Sequence, residues 1–344
     1  MRGSAVTSCP QSVCYAHSLY MPAQHHPAPI TLQPYANCAA FIGDGTIVAF
    51  NVGADRRAYV VIAGKPLDYR WENSAGASFA KVAPDVPQSY RVVGLDGPEA
   101  HLDVTIEEAR FNVHDVQPLR DDILLVCARS AYRGPQDFDL NGHVFDRQGH
   151  ALRSFLLGDG IQTVQATSAG TIWTSFFDEG VFGNRGTRHP IGASGLVAWS
   201  GSGECLYEFM PPAGVEGMVD CYALNVESNN IAWCYYYTAF PLVRIRNLKA
   251  DASWRVPIRG SSAFAISASH ALFSGGYGQR ALCTLLQMKD DGRVGLVHEL
   301  ELRMEDGTLL EHEGVVGRGD ALWLRCGANI YRLTIGEALS SARR

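Results

Sequence analysis

The chain has 344 residues, 47% hydrophobic and 19% charged, with 29 Lys and Arg against 35 Asp and Glu for a formal net charge of −6. That balance is globular and sufficient for a large core, and the lack of a basic face or a run of like charge argues against a nucleic-acid partner. No stretch approaches the roughly 18 apolar residues that span a bilayer, which argues against a membrane partner.

Residues 1–27 are rich in Ser, Pro, Ala and His and lack a continuous apolar segment, so they are expected to be a disordered extension, with Met21 as an alternative start. Beyond it a short turn of Gly, Asp, Asn or His runs six times into an apolar strand. Asp44-Gly45 precedes Ile47 to Phe50, Asp121-Asp122 precedes Ile123 to Val126, and Gly170 precedes Ile172 to Thr174. Asn229-Asn230 precedes Ile231 to Trp233, His270 precedes Leu272-Phe273, and Gly319-Asp320 precedes Leu322 to Leu324. A strand-and-turn unit recurring roughly every 40 to 60 residues marks a repeat architecture. The best-defined unit runs from Val113 to Leu157 in four strands. Similar units follow from Ile161 to Phe209, Met218 to Ile258 and Ala263 to Met304. Gly314 to Leu333 supplies only three strands, and Ile335 to Ser341 is the one candidate helix.

These units predict an all-β fold, a β-propeller of seven blades (one degenerate) or six. Residues 28–336 are its single domain and 337–344 a short C-terminal tail. Ala39 to Trp71 is expected to form one blade, and Phe79 to Glu108 the degenerate one. A ring avoids open strand edges, so the missing fourth strand of the last unit is expected from the N-terminal segment around Ile30-Thr31-Leu32.

With strands lettered A to D from the axis outward, D–A and B–C connections share one face, and A–B and C–D connections the other. The A–B and C–D links are tight hairpin turns, such as Ser168-Ala169-Gly170 and Arg147-Gln148-Gly149. The long links, Ser130 to Leu140 and Asp178 to Ser194, are both B–C. Long loops in a compact domain carry function or are disordered, so function is expected on that face. It would gather His114, Arg129, Tyr132, Arg133, Asp159, Asp178, Glu179, Asn184, Tyr236 and Tyr277 as a ligand-binding funnel. Taken singly, each acid is more simply a turn cap or half of an inter-blade ion pair.

An alternative places a divalent cation, Ca or Mg, on Asp159, Asp178, Glu179 and His114, since hard cations take several oxygen ligands. Its bound water would serve a hydrolase or lactonase. Against that, Asp178-Glu179-Gly180 reads as a turn whose carboxylates bind backbone N–H groups or an arginine such as Arg129. Nine scattered cysteines without a C-x-x-C pair argue against structural zinc and suit a reducing cytoplasm. The scarcity of lysine beside arginine reads as a GC-rich bacterial genome.

The stretch Gly158-Asp159-Gly160-Ile161, Gly170 to Asn184, Ile191-Gly192 and Ser194-Gly195-Leu196 resembles an uncharacterised actinobacterial β-propeller-like family, across Val113 to Phe209. The resemblance implies a propeller and no assigned activity. The acid-lined funnel is also similar in outline to gluconolactonase-like propellers, which implies a metal at the channel mouth. The preferred expectation is a binding protein that recognises a small molecule or a protein at the funnel face. Whether it is also an enzyme is left open, with the metal-dependent hydrolase as the alternative.

Overall fold

The computed structural model describes residues 27–64, 67–134, 136–183 and 189–341. The expected N-terminal extension, apart from its last residue, therefore lies outside the described residues, as do 342–344.

Six antiparallel sheets form the blades of a β-propeller. The first is built from Thr46–Val52, Ala58–Ala63, Gln88–Asp96 and Glu99–Ala109. The second comprises Asp115–Leu119, Asp122–Val126, Gly142–Phe145 and Ala151–Phe155, and the third Ile161–Ala166, Ile172–Phe176, Leu196–Trp199 and Cys205–Glu208. Asp220–Val226, Ile231–Tyr237, Pro241–Arg246 and Ala250–Arg255 make the fourth. The fifth holds Phe264–Ile266, His270–Ser274, Leu282–Met288 and Val294–Arg303, and the sixth Gly314–Arg318, Ala321–Cys326 and Asn329–Thr334. The first strand of each blade packs against its counterparts around the axis. Positive φ at Gly170 (90°) and Gly203 (84°) lets the chain reverse in the tight A–B and C–D turns of the third blade.

The count is six, not seven with one degenerate blade. Gln88–Asp96 and Glu99–Ala109 pair with each other and onto Ala58–Ala63, so the stretch read as a degenerate blade supplies strands C and D of the first blade. It was misread because residues 64–87, which link strands B and C, hold a separate small hairpin, Arg70–Glu72 with Ser78–Ala80.

The ring does close through the N-terminal segment, but by a different strand from the one expected. Pro34–Asn37 pairs antiparallel with Asn329–Thr334 as the fourth strand of the sixth blade. Ala28–Thr31 instead runs parallel to Val294–Arg303 as a fifth strand on the outer edge of the fifth blade, in register Ile30↔Leu302. One short segment thus ties two neighbouring blades together. Leu32, between the two strands, is buried, and Tyr35 packs edge-on against Trp323 with centroids 4.9 Å apart. The terminal helix Ile335–Ser341 is present and buries Ile335 and Ala338 against the fifth and sixth blades.

The core lies between the blades, where the alternation of each strand turns apolar side chains toward its neighbours. Leu124, Val126 and Val144 of the second blade meet Val164, Ile172 and Trp199 of the third. Along the axis the inner strands carry buried polar residues instead. Asp115 accepts hydrogen bonds from the Val164 N–H at 2.7 Å and from Asn51 Nδ2. Gln117 Oε1 accepts from the Ala166 N–H at 3.0 Å, and Gln165 Oε1 from the Val226 N–H at 2.7 Å. These side chains thereby stitch the inner strands of blades one to four in sequence order.

Several contacts cross the axis, among them Asn51 Nδ2 to the Val164 carbonyl at 2.8 Å and Asn225 Nδ2 to the Gly319 carbonyl at 3.0 Å. Gln165 Nε2 donates to the Gly317 carbonyl at 3.0 Å, and Arg318 Nη2 donates to the Ala166 carbonyl at 2.6 Å, joining the third blade to the sixth. The channel is therefore pinched by side chains on its axis. Burial, with the nearby Arg56 charge, lowers the Arg318 pKa to about 9, so its charge is held at a cost.

Candidate functional site

Three B–C links are long, not two, and they occupy three consecutive blades. The first carries the hairpin of Arg70–Glu72 and Ser78–Ala80, the second that of Tyr132–Gly134 and Asp137–Phe138, and the third the short helix Asp178–Phe182. They raise one half of the face into a rim.

Arg129 is the hub of this rim. Its side chain is only 13% exposed, and the guanidinium meets Asp159 with Nε to Oδ1 at 2.9 Å and Nη2 to Oδ2 at 3.0 Å. Nη1 is bonded to the Glu179 carboxylate, and the guanidinium lies 5.5 Å from the Phe177 ring centre. Burial opposes the charge of Arg129, but Glu179 and Asp159 outweigh it and hold the pKa above the ordinary arginine value. Asp159 Oδ1 also accepts the Ser130 N–H at 2.8 Å, and Asp178 Oδ1 accepts the Glu179 N–H at 2.8 Å. The acids thus bind an arginine and backbone N–H groups, as the turn reading expected. Among the described residues no group of three or more His, Cys, Asp or Glu side chains is placed to hold a metal ion.

Beside the hub lies a groove of about 500 Å³, lined by Trp71, Ser78, Phe79, Ala80, Arg129, Phe177 and Glu179. Trp71 and Phe79 are stacked, with centroids 4.7 Å apart, and remain 42% and 39% exposed. A smaller recess of about 50 Å³ lies between the second and third insertions, beside Tyr132, Phe138 and Ile191.

The remaining expected residues are dispersed. His114 is partly buried; its Nδ1 accepts the Ala128 N–H at 3.3 Å, and burial, reinforced by Arg129, pushes its pKa down to about 4. Arg133 pairs within its own hairpin with Asp137 and Asp139, both at 2.8 Å. Tyr132 stands exposed on that hairpin. Tyr236 is withdrawn from the face altogether. It is fully buried against Phe209, and its hydroxyl donates to the Glu216 carbonyl at 3.0 Å. Tyr277 is exposed on the far half of the face, bonded through its hydroxyl to that of Tyr222 at 2.8 Å. Asn184 lies outside the described residues.

A second concavity sits at the axis. It holds about 250 Å³ between the inner strands of blades three to six, and the link carrying Arg280 reaches its lip. The sequence reading missed Trp71, Phe79 and Arg280. The aromatic pair lay in a stretch divided between two blades, and Arg280 sits in a short link that length alone does not distinguish.

Among the described residues no helix is long and apolar enough to cross a membrane. Residues 192–333, less than half of the chain, match the YxzG family. No curated protein sequence matches the chain. Similar solved structures include a streptogramin B lyase, 11% identical over 88% of this chain and 96% of that one, with a TM-score of 0.46. The hydrazine synthase of Kuenenia stuttgartiensis is 11% identical, covering 94% of this chain and 82% of that one, with a TM-score of 0.47. The WD40 β-propeller domain of Doa1 is 8% identical, covering 89% and 95%, with a TM-score of 0.44.

Proposed function

We propose that this propeller is a binding protein that docks a protein partner on the face formed by its D–A and B–C links, at the rim raised by the first three blades. One observation carries the reading: the stacked Trp71–Phe79 pair stands exposed beside Phe177 and the Arg129 ion pairs, around a groove of about 500 Å³. Energetically dominant contacts at protein interfaces are enriched in Trp and Arg and surrounded by neighbours that exclude water. The exposed aromatic surface costs solvation in the free chain, and an apolar or aromatic side chain of the partner would cover it. Arg129 is already fixed by Asp159, so the groove is organised before binding and little side-chain ordering remains to oppose it.

The opposite face offers tight turns and no comparable aromatic exposure among the described residues. The hydrolase alternative, built on a divalent ion at Asp159, Asp178, Glu179 and His114, draws no support from carboxylates already engaged by Arg129 and backbone N–H groups. Free cysteines throughout the blades favour a reducing compartment, consistent with a cytoplasmic protein.

The test is differential capture from a lysate of the source cells. A Trp71→Ala/Phe79→Ala variant should lose at least one partner that the wild type retains. An Arg120→Ala variant, altered on the opposite face, should keep it. Identical capture by all three proteins would overturn the reading.

A further inference from the structure

The pocket at the axis lies away from the rim, and nothing in the rim reading uses it. Its walls come from Gln162 and Thr163 of the third blade, Tyr222 and Leu224 of the fourth, Ser262 before the fifth, and Gly314 to Gly317 of the sixth. The floor is closed by Gln165, which donates to the Leu224 and Gly317 carbonyls at 3.2 and 3.0 Å and is braced by Arg318 at 3.1 Å. The pocket is therefore blind, open only toward the funnel face.

Its charges are few. Glu313 at the wall is paired with Arg325, Oε2 to Nη1 at 2.6 Å. His312 is 7% exposed, with Nε2 3.3 Å from Ser274 Oγ; burial and the nearby Arg280 push it down to about 4, so it is neutral at pH 7. Arg280 at the lip has no ion pair and no side-chain hydrogen bond among the described residues. The pocket thus presents one uncompensated guanidinium above a ring of neutral hydrogen-bonding groups from Gln162, Thr163, Ser262 and Tyr222.

We infer that this axial pocket binds a small, singly charged organic acid bearing hydroxyl groups, its carboxylate on Arg280 and its hydroxyls on the Gln162, Thr163, Ser262 and Tyr222 side. A planar guanidinium matches a carboxylate with two parallel N–H donors. Size favours a small ligand, since about 250 Å³ is the share of roughly eight water molecules. Charge limits it as well. A phosphate dianion would meet one cation, no helix N-terminus and the Glu313 carboxylate, whereas a monoanion is balanced by Arg280 alone. An apolar ligand would leave the Gln162 and Ser262 side chains facing it without partners, whereas Thr163 and Tyr222 already bond Asp115 and Tyr277. A divalent cation would find a single carboxylate that already has an arginine.

The test uses galacturonate, glycerate and quinate as probes, with neutral galactose as the control, by saturation-transfer NMR and titration calorimetry. At least one acid should bind the wild type with a Kd of millimolar or tighter, at least tenfold more tightly than galactose. Arg280→Gln should weaken that acid at least tenfold and Arg280→Lys by less, while Trp71→Ala/Phe79→Ala should leave it unchanged. Arg280 is exposed, so its variants are expected to fold, which melting curves would verify. Absence of binding by all three acids would overturn the inference. So would equal binding of galactose, or an unchanged Kd in Arg280→Gln. Because the Trp71 and Phe79 variant separates the two sites, failure here leaves the rim reading standing, and failure of the rim leaves this one.

Discussion

His312 provides a pH test whose size follows from its burial. The imidazole lies 7% exposed at the wall of the axial pocket, and burial, with help from Arg280, lowers its pKa from 6.5 to about 4. The unfolded chain therefore takes up this proton before the folded chain does. The stability that His312 contributes is complete above about pH 6.5 and is lost as pH falls through that value toward 4. With each pKa unit equivalent to about 1.4 kcal/mol, the loss is about 1.4 kcal/mol by pH 5.5 and about 2.5 kcal/mol by pH 4.5. Urea unfolding of the wild type and of His312→Gln at pH 7.5, 5.5 and 4.5 isolates the term. Contributions from His114, His143 and Asp115 are common to both proteins and cancel in the difference. The advantage of the wild type over the variant should shrink by those amounts. Parallel pH dependences in the two proteins would refute the claim that His312 is held neutral.

Gly317→Ala should cost about 3 kcal/mol, read by chemical unfolding, because the new Cβ would lie 1.9 Å from the Phe264 carbonyl oxygen and force the fifth and sixth blades apart. Arg129→Met should cost about 3 kcal/mol by leaving Asp159 half-buried without its cation, whereas Glu179→Gln, at an exposed carboxylate, should cost under about 1 kcal/mol. A chain beginning at Pro27 should melt with the full chain, and one beginning at Ala39 should melt about 10 °C lower or more, since it lacks Pro34–Asn37 and Leu32. Equal melting of those two truncations would contradict closure of the ring by the N-terminal segment.

The repeat was legible because most A–B and C–D turns use Gly, Asp or Asn between apolar strands, the fifth blade's Ser267-Ala268-Ser269 before His270 being an exception. The units read from Val113 to Met304 correspond to blades two to five. The first blade was misread because its B–C insertion, residues 64–87, carries its own small hairpin and imitates a new unit. For the closing strand, Ile30-Thr31-Leu32 has the better strand composition, but Pro34–Asn37 holds the antiparallel place. Propensity cannot tell a parallel edge strand from an antiparallel one.

At the site, the link between Arg129 and the Asp178-Glu179-Gly180 turn was legible as turn chemistry, whereas the Arg129–Asp159 pair emerged only from the fold. Tyr236 was not, since a strand pattern does not say whether a tyrosine hydroxyl faces solvent or the Glu216 carbonyl. Trp71 and Phe79 became significant only when the fold set their hairpin beside Phe177. Gln165 and Arg318, far apart in sequence, meet only because the axis is pinched.

The central claim, that the raised rim is where the protein meets its partner, is tested most directly by hydrogen exchange on the complex with the partner recovered by the wild type. Protection should be confined to residues 70–80, 129–139 and 177–183, with the opposite-face turns at 120–122, 147–149, 168–170 and 201–203 unchanged. Protection of those turns, with the three insertions exchanging as in the free chain, would contradict it.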